Sequence, residues 1–214
     1  MIMGVRNIGE VKRKLKLLRL TPTQMRRIEI EELDLASFRS VREFAERVFL
    51  APRRPLHCLI NNAHLSGLSK MHRTVDDIEY SYQVNYLSHF LLTRLLEPSL
   101  ESSSLIDTSV PSNVINVGSR MYRFGKLRRS SYNLRERNLT TYDPSTVYAD
   151  TKLMQLMFTM TLAKRYNDKK LNITATYVHP GGLVRTAGGW VRGPEYSFMH
   201  RLEPLLMKLA GRNT

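Results

Sequence analysis

Short runs rich in β-branched and apolar residues alternate along the chain with longer stretches in which apolar residues recur at helical period. The first kind falls near 1–5 (MIMGV), 27–33 (RIEIEEL), 56–61 (LHCLIN), 112–118 (SNVINVG) and 172–178 (NITATYV), and these predict strands. Between them, NIGEVKRKLKLLRL, SFRSVREFAERVFL and TVDDIEYSYQVNYLSHFLLTRLLEPSL predict helices, with Ser37 and Thr74 as caps. Further helices are expected from about 145 to 167 and from about 196 to 210. Strands alternating with helices predict a parallel sheet covered on both faces, a Rossmann-like three-layer α/β/α architecture. Pro52 and Pro55 bracket a loop before the third strand, and Pro144 stands at the start of the helix around 145. No repeat or interdomain linker interrupts the pattern, so residues 1–214 are expected to form a single domain.

Composition narrows this picture. An apolar content of 42% argues for a packed core, and the 33 Lys and Arg against 19 Asp and Glu give a net charge of +14. That surplus suggests attraction to something anionic: a membrane surface, nucleic acid or a phosphorylated small molecule. The basic residues are scattered, densest in EVKRKLKLLRL, and no zinc-finger, RNP or KH signature accompanies them, so nucleic acid is not expected. The single cysteine, Cys58, excludes an internal disulfide and is expected as a small buried hydrophobe within LHCLIN. No run of eighteen apolar residues is present and MIMGVRNIGE lacks the features of a signal peptide. The expectation is an intracellular chain, cytoplasmic or peripheral to an organelle membrane.

Ligands of open α/β sheets bind beyond the carboxyl ends of the strands. The expected strands end there in Asn61, Asn62 and Ala63, in Ser119, and in His179, Pro180 and Gly181. Each has a structural alternative, since Asn, Ser and Pro-Gly are also ordinary turn residues. Asn85 is less expected, because an amide within the apolar stripe of a helix needs partners. Tyr148 and Lys152 lie four apart in TVYADTKLMQLMF and so share one helix face. They are either two amphipathic side chains covering a seam or a phenol placed beside a cation.

Taken in order, DLAS around Asp34, LINNAH, VNYLSHFLLT, INVGS, YADTK and VHPG resemble the short-chain dehydrogenase/reductase family, in its retinol-dehydrogenase-like branch, over essentially the whole chain. The resemblance implies that Tyr148 is the acid or base toward a carbonyl or alcohol, with Lys152, Ser119 and Asn85 completing the catalytic group. It further implies cofactor contacts from Arg6, Asp34, Leu35, Asn61, Ala63, Tyr148, Lys152, Pro180, Gly181 and Thr186, and no metal. Within it Ser119 bonds the substrate oxygen, Asn85 supports a proton relay to Lys152, Asn61 lines the cofactor channel and Asp34 faces the adenine. Arg6, at the end of the first strand, favours NADP over NAD, because a guanidinium pairs with a 2′-phosphate. The implied partner is a lipophilic alcohol or carbonyl, such as a retinoid or steroid, with a homodimer and a peripheral membrane contact as further candidates.

The chain also departs from the family pattern. No glycine-rich turn precedes the first strand, His64 replaces the glycine of N-N-A-G, one extra residue precedes Thr186, and the carboxyl end is short. The fold is therefore expected to be incomplete at its amino-terminal βα unit. The alternative to an enzyme is a form without turnover that acts through protein contacts.

Overall fold

A computed structural model of the chain describes residues 1–18, 20–66, 68, 70–127 and 142–179. The expected strands form as β1 (Ile2–Val5), β2 (Glu29–Glu32), β3 (Cys58–Asn61), β4 (Ser112–Val117) and β5 (Ile173–Val178). The helices are α1 (Ile8–Leu17), α2 (Pro22–Arg26), α3 (Phe38–Ala45), α4 (Tyr80–Tyr82), α5 (Ser88–Ile106) and α6 (Pro144–Asp168). A π-helical turn, Glu46–Leu50, extends α3, and a second, Gln83–Leu87, joins α4 to α5. The helix expected near 196–210 lies outside the described residues.

All pairing is parallel, in two groups: β1 with β2, and β3–β4–β5 in that order. This is the three-layer Rossmann-like arrangement in two sheet segments. One core ties the segments together. Leu33, Val41, Phe44, Val48, Leu92 and Leu96 are buried with Ile2 of β1 and Leu59 of β3 packed against them. Leu56 and Leu59 also touch the second cluster, where Leu100, Val114, Phe158, Leu162 and Tyr166 seat α5 and α6 on β4 and β5.

Cys58 corrects the sequence expectation, since it is exposed. Among the described residues β3 is paired on one edge only, so covering strands bury less of it, and Ile60 is likewise 59% exposed. Thr74 is the second correction. Its Oγ1 accepts the N–H groups of Asp76 and Ile78 in a tight turn, with Asp77 at φ 60°. The helix starts later, capped by the buried carboxylate of Glu79, which accepts the N–H groups of Ser81 and Tyr82 at 3.0 and 2.7 Å. Ser37 caps α3 as expected, accepting the Ser40 N–H.

Asp143 opens α6, accepting the N–H groups of Ser145 and Thr146, with Pro144 in the first turn where its missing N–H is harmless. Replacing Asp143 by Ala is expected to cost about 1 kcal/mol of stability. A urea-unfolding midpoint unchanged by that substitution would show that this cap contributes nothing.

Candidate active site

Period-two alternation in β4 turns Ser112, Val114 and Asn116 inward, all of them buried. An asparagine in that position must find partners in the core. Asn116 does: its Oδ1 accepts from Asn61 Nδ2 at 2.8 Å, and its Nδ2 donates to Thr159 Oγ1 at 2.8 Å. Thr159 in turn donates to the carbonyl of Gln155 at 2.7 Å, and the Gln155 side-chain Oε1 accepts from Lys152 Nζ at 3.2 Å. On the other side Asn61 Nδ2 also donates to Thr93 Oγ1, which donates to the His89 carbonyl. A chain of buried polar groups thus runs from β3 and β4 through α5 and α6 to Lys152.

Lys152 is 1% exposed and also donates to the Val117 carbonyl at 2.9 Å, at the end of β4. Burial pushes its pKa down to about 8. Its Nζ stands 5.7 Å from the centre of the Tyr148 ring, so the i,i+4 spacing places the ammonium beside the phenol as expected. A cation at such a position favours the phenolate over the phenol.

Ser119 follows β4 and is held by two close approaches, one to β5 and one to α6. A Cβ on Gly118 would lie 1.9 Å from Tyr177 Cζ, and the phenol of Tyr177 both accepts the Ser119 N–H at 3.0 Å and donates to the Ser119 carbonyl. A Cβ on Gly125 would lie 2.5 Å from the carbonyl oxygen of Ala149, the residue after Tyr148. The Lys126 N–H then bonds the buried Asp150 carboxylate at 2.7 Å. The 3₁₀ turn Arg120–Phe124 is therefore clamped onto α6 beside Tyr148.

Asn85 lies in the π turn and is fully buried. Its amide clamps the loop after β3, accepting the Leu65 N–H at 2.7 Å and donating to the Leu65 carbonyl at 2.8 Å, and it also reaches Thr151 of α6. That loop carries His64, whose ring centre is 6.0 Å from that of Tyr148. His64 Nδ1 faces the Asn62 carbonyl at 3.1 Å, which requires the proton on Nδ1. Although His64 is exposed as a residue, desolvation lowers its pKa, and the charge of Lys152 acts in the same direction.

No family model matches the chain. Human retinol dehydrogenase 14 is 38% identical to it over 157 residues, 73% of this chain and 42% of its own length. A solved structure of an uncharacterised protein from Mycobacterium paratuberculosis superposes with TM-score 0.68 at 30% identity, over 85% of this chain and 58% of that one. The chain belongs to the short-chain dehydrogenase/reductase family, in its retinol-dehydrogenase-like branch. NADPH-bound carbonyl reductase from chicken fatty liver shares the fold, with TM-score 0.60 at 19% identity over 91% of this chain and 72% of that one. This short-chain dehydrogenase/reductase chain spans less than half the length of the curated relative it matches.

The remaining family positions are distributed unevenly. Arg6 is exposed just after β1 and donates to the Tyr80 phenol at 3.0 Å. Asp34 folds its carboxylate back onto the Ala36 N–H at 2.8 Å, while Leu35 buries its side chain in the core. Ala63 is exposed, but Asn61 is only 2% exposed, its Nδ2 bonded inside the polar chain and its Oδ1 without a partner among the described residues. Pro180, Gly181 and Thr186 lie outside the described residues. Asn116, Thr93, His89, Gln155 and Thr159 belong to the polar chain and went unread in the sequence. The signal available for Asn116 was its inward position in β4, and for Gln155 and Thr159 their spacing of three and seven from Lys152.

Proposed function

We propose that this single domain interconverts an alcohol and a carbonyl with NADP(H), its substrate being lipophilic, a retinoid, steroid or other aldehyde or ketone. The observation that carries the reading is the placement of Tyr148 beside the buried ammonium of Lys152 on one face of α6. The retinoid class is suggested by the names of the relatives, retinol dehydrogenases.

The residues present suit a dinucleotide at its two ends. Arg6 is held by a neutral phenol, so its charge remains available to a 2′-phosphate. Lys152 commits two of its three donors to Val117 and Gln155, and the third is assigned to the ribose hydroxyls. Asp34, Leu35, Asn61, Ala63, Pro180, Gly181 and Thr186 are the other proposed cofactor positions. When bound, NADP(H) supplies or accepts the hydride.

In reduction, the Tyr148 hydroxyl donates its proton to the carbonyl oxygen, and in oxidation the phenolate removes the hydroxyl proton. Lys152 stabilises that phenolate by its charge. Ser119 donates a hydrogen bond to the same oxygen, and Asn85 fixes the loop that carries His64 against α6. A reading without turnover, through protein contacts, is favoured by the division of the sheet into two segments.

Fluorescence titration with NADPH and NADH, followed by retinal-dependent NADPH oxidation, decides between them. NADPH is expected to bind more tightly than NADH. Replacing Arg6 by Ala should weaken NADPH roughly tenfold, as expected for loss of one charge-assisted contact, and leave NADH unchanged. Failure of the parent protein to bind either nucleotide would discard the oxidoreductase reading, and equal affinities would discard the role of Arg6.

A further inference from the structure

Gln155 sits one turn beyond Lys152 on α6, 1% exposed and surrounded by core. Leu or Met would fill that volume without bringing a polar group into it, and burying an amide with an unmet donor is unfavourable. Its Nε2 has no partner among the described residues. The opposite end of the same amide, Oε1, accepts from Lys152 Nζ at 3.2 Å. A local rule broken at one atom and satisfied at another, against a functional group, marks the satisfied contact as the reason for the residue.

We propose that Gln155 is a positioning residue for Lys152, its amide oxygen fixing the ammonium at the end of β4 beside the Tyr148 ring. The proposal rests on the reading of Lys152 as the cation that acts on Tyr148. Geometry supplies three supports.

The first is that both acceptors of the ammonium are neutral: the Gln155 amide oxygen and the Val117 carbonyl. A buried cation held by neutral dipoles depends on each of them far more than an exposed one does. The second is that Gln155 is itself anchored. Its backbone carbonyl accepts from Thr159, which accepts from Asn116, so the polar chain between β3 and α6 fixes the turn that carries it. The third is spacing. With the Val117 carbonyl at the end of β4 and Gln155 one turn ahead on α6, the lysine side chain is held from two directions.

The surroundings of the ammonium otherwise oppose its charge or leave it unchanged. His89 on α5 and His64 on the loop after β3 both feel the Lys152 charge, which lowers their pKa, and the Tyr148 ring stands 5.7 Å away. The Tyr177 phenol of β5 meets Lys152 at its backbone carbonyl. Burial holds Lys152 at about 8, so the ammonium still dominates at neutral pH but titrates closer to it than an ordinary lysine does.

The test reads Lys152 ionisation directly, in the whole chain without nucleotide, by NMR of protein labelled at lysine Cε, with the resonance assigned by its loss in Lys152→Met. Gln155→Met keeps the volume and removes the acceptor, and is expected to lower the Lys152 pKa by about one unit, a tenfold change in proton affinity. Gln155→Glu replaces a dipole by a charge and is expected to raise it by at least about one unit. A side chain that served only to fill space would leave the titration in place for the Met variant. Titrations within about 0.2 unit of the parent in both variants would overturn the proposal. If Gln155→Met does not fold, Gln155→Leu, which also removes the acceptor, is read by the same criterion. Nucleotide-dependent turnover is measured separately: a shifted Lys152 titration without turnover sinks the oxidoreductase reading alone, and turnover with an unmoved titration sinks the role of Gln155 alone.

Discussion

Replacing Tyr148 by Phe is expected to lower NADPH-dependent carbonyl reduction by about 10²- to 10⁴-fold, a barrier increase of roughly 3–5 kcal/mol. The substitution removes one oxygen and keeps the ring, so the contact with His64 and the packing of α6 persist. NADPH affinity should fall far less than turnover, since the phenol oxygen is one of several proposed cofactor contacts. The size of the effect follows from what else stands in the site. Ser119 Oγ accepts the Met121 N–H and caps the 3₁₀ turn, which leaves it able to bond an oxygen but not acidic enough to replace the phenol as proton donor. The proton of His64 is directed at the Asn62 carbonyl. Lys152, the other group with protons to give, is engaged by Val117 and Gln155. Stopped-flow absorbance with retinal and NADPH measures the step, and a Phe variant that kept more than about a tenth of parent activity would show that the proton comes from elsewhere.

The part of this site that is legible in the sequence is the part built by local geometry. Tyr148 and Lys152 lie on one helix, where a spacing of four fixes their relation whatever the tertiary structure does. The strand ends carrying Ser119 and the Asn61–Ala63 stretch were legible for the same reason, because alternation in SNVINV and the apolar run LHCLIN locate the strands. Contacts that cross the core were not. Asn61 and Asn116 meet across 55 residues of sequence and Asn116 and Thr159 across 43, and nothing in their local patterns points one to the other. Asn85 was suspect as a buried amide, yet its principal partner proved to be the backbone of Leu65.

Two misreadings have separate causes. The stretch Thr74–Val75–Asp76–Asp77 has the composition of a helix start, but Thr74 Oγ1 closes a turn on Asp76 and Ile78 instead, and local side-chain bonding of this kind competes with the helix. Cys58 is apolar in an apolar strand, and its exposure depends on which strands flank β3, a tertiary fact.

Lowering the pH from about 6.5 to about 4 is expected to cost on the order of 3 kcal/mol through His89 alone. His89 is 3% exposed on α5, with Nδ1 3.3 Å from the Asn85 carbonyl, and burial lowers its pKa from 6.5 to about 4, with the charge of Lys152 adding to the effect. Above 6.5 the ring is neutral in both the folded and unfolded chains and the native packing is fully retained. Between 6.5 and 4 the unfolded chain takes up a proton that the native chain refuses, so stability falls throughout that window and levels off below it. Comparison with His89→Gln isolates this contribution from those of other groups, since the variant keeps a polar side chain without an ionisable ring. Urea unfolding at pH 7 and pH 4.5 should show a steeper loss for the parent than for the variant. Parallel losses would mean that His89 is protonated without opening the core. The consequence reaches the site, because a proton on His89 would place a second positive charge close to Lys152, the ammonium that acts on Tyr148.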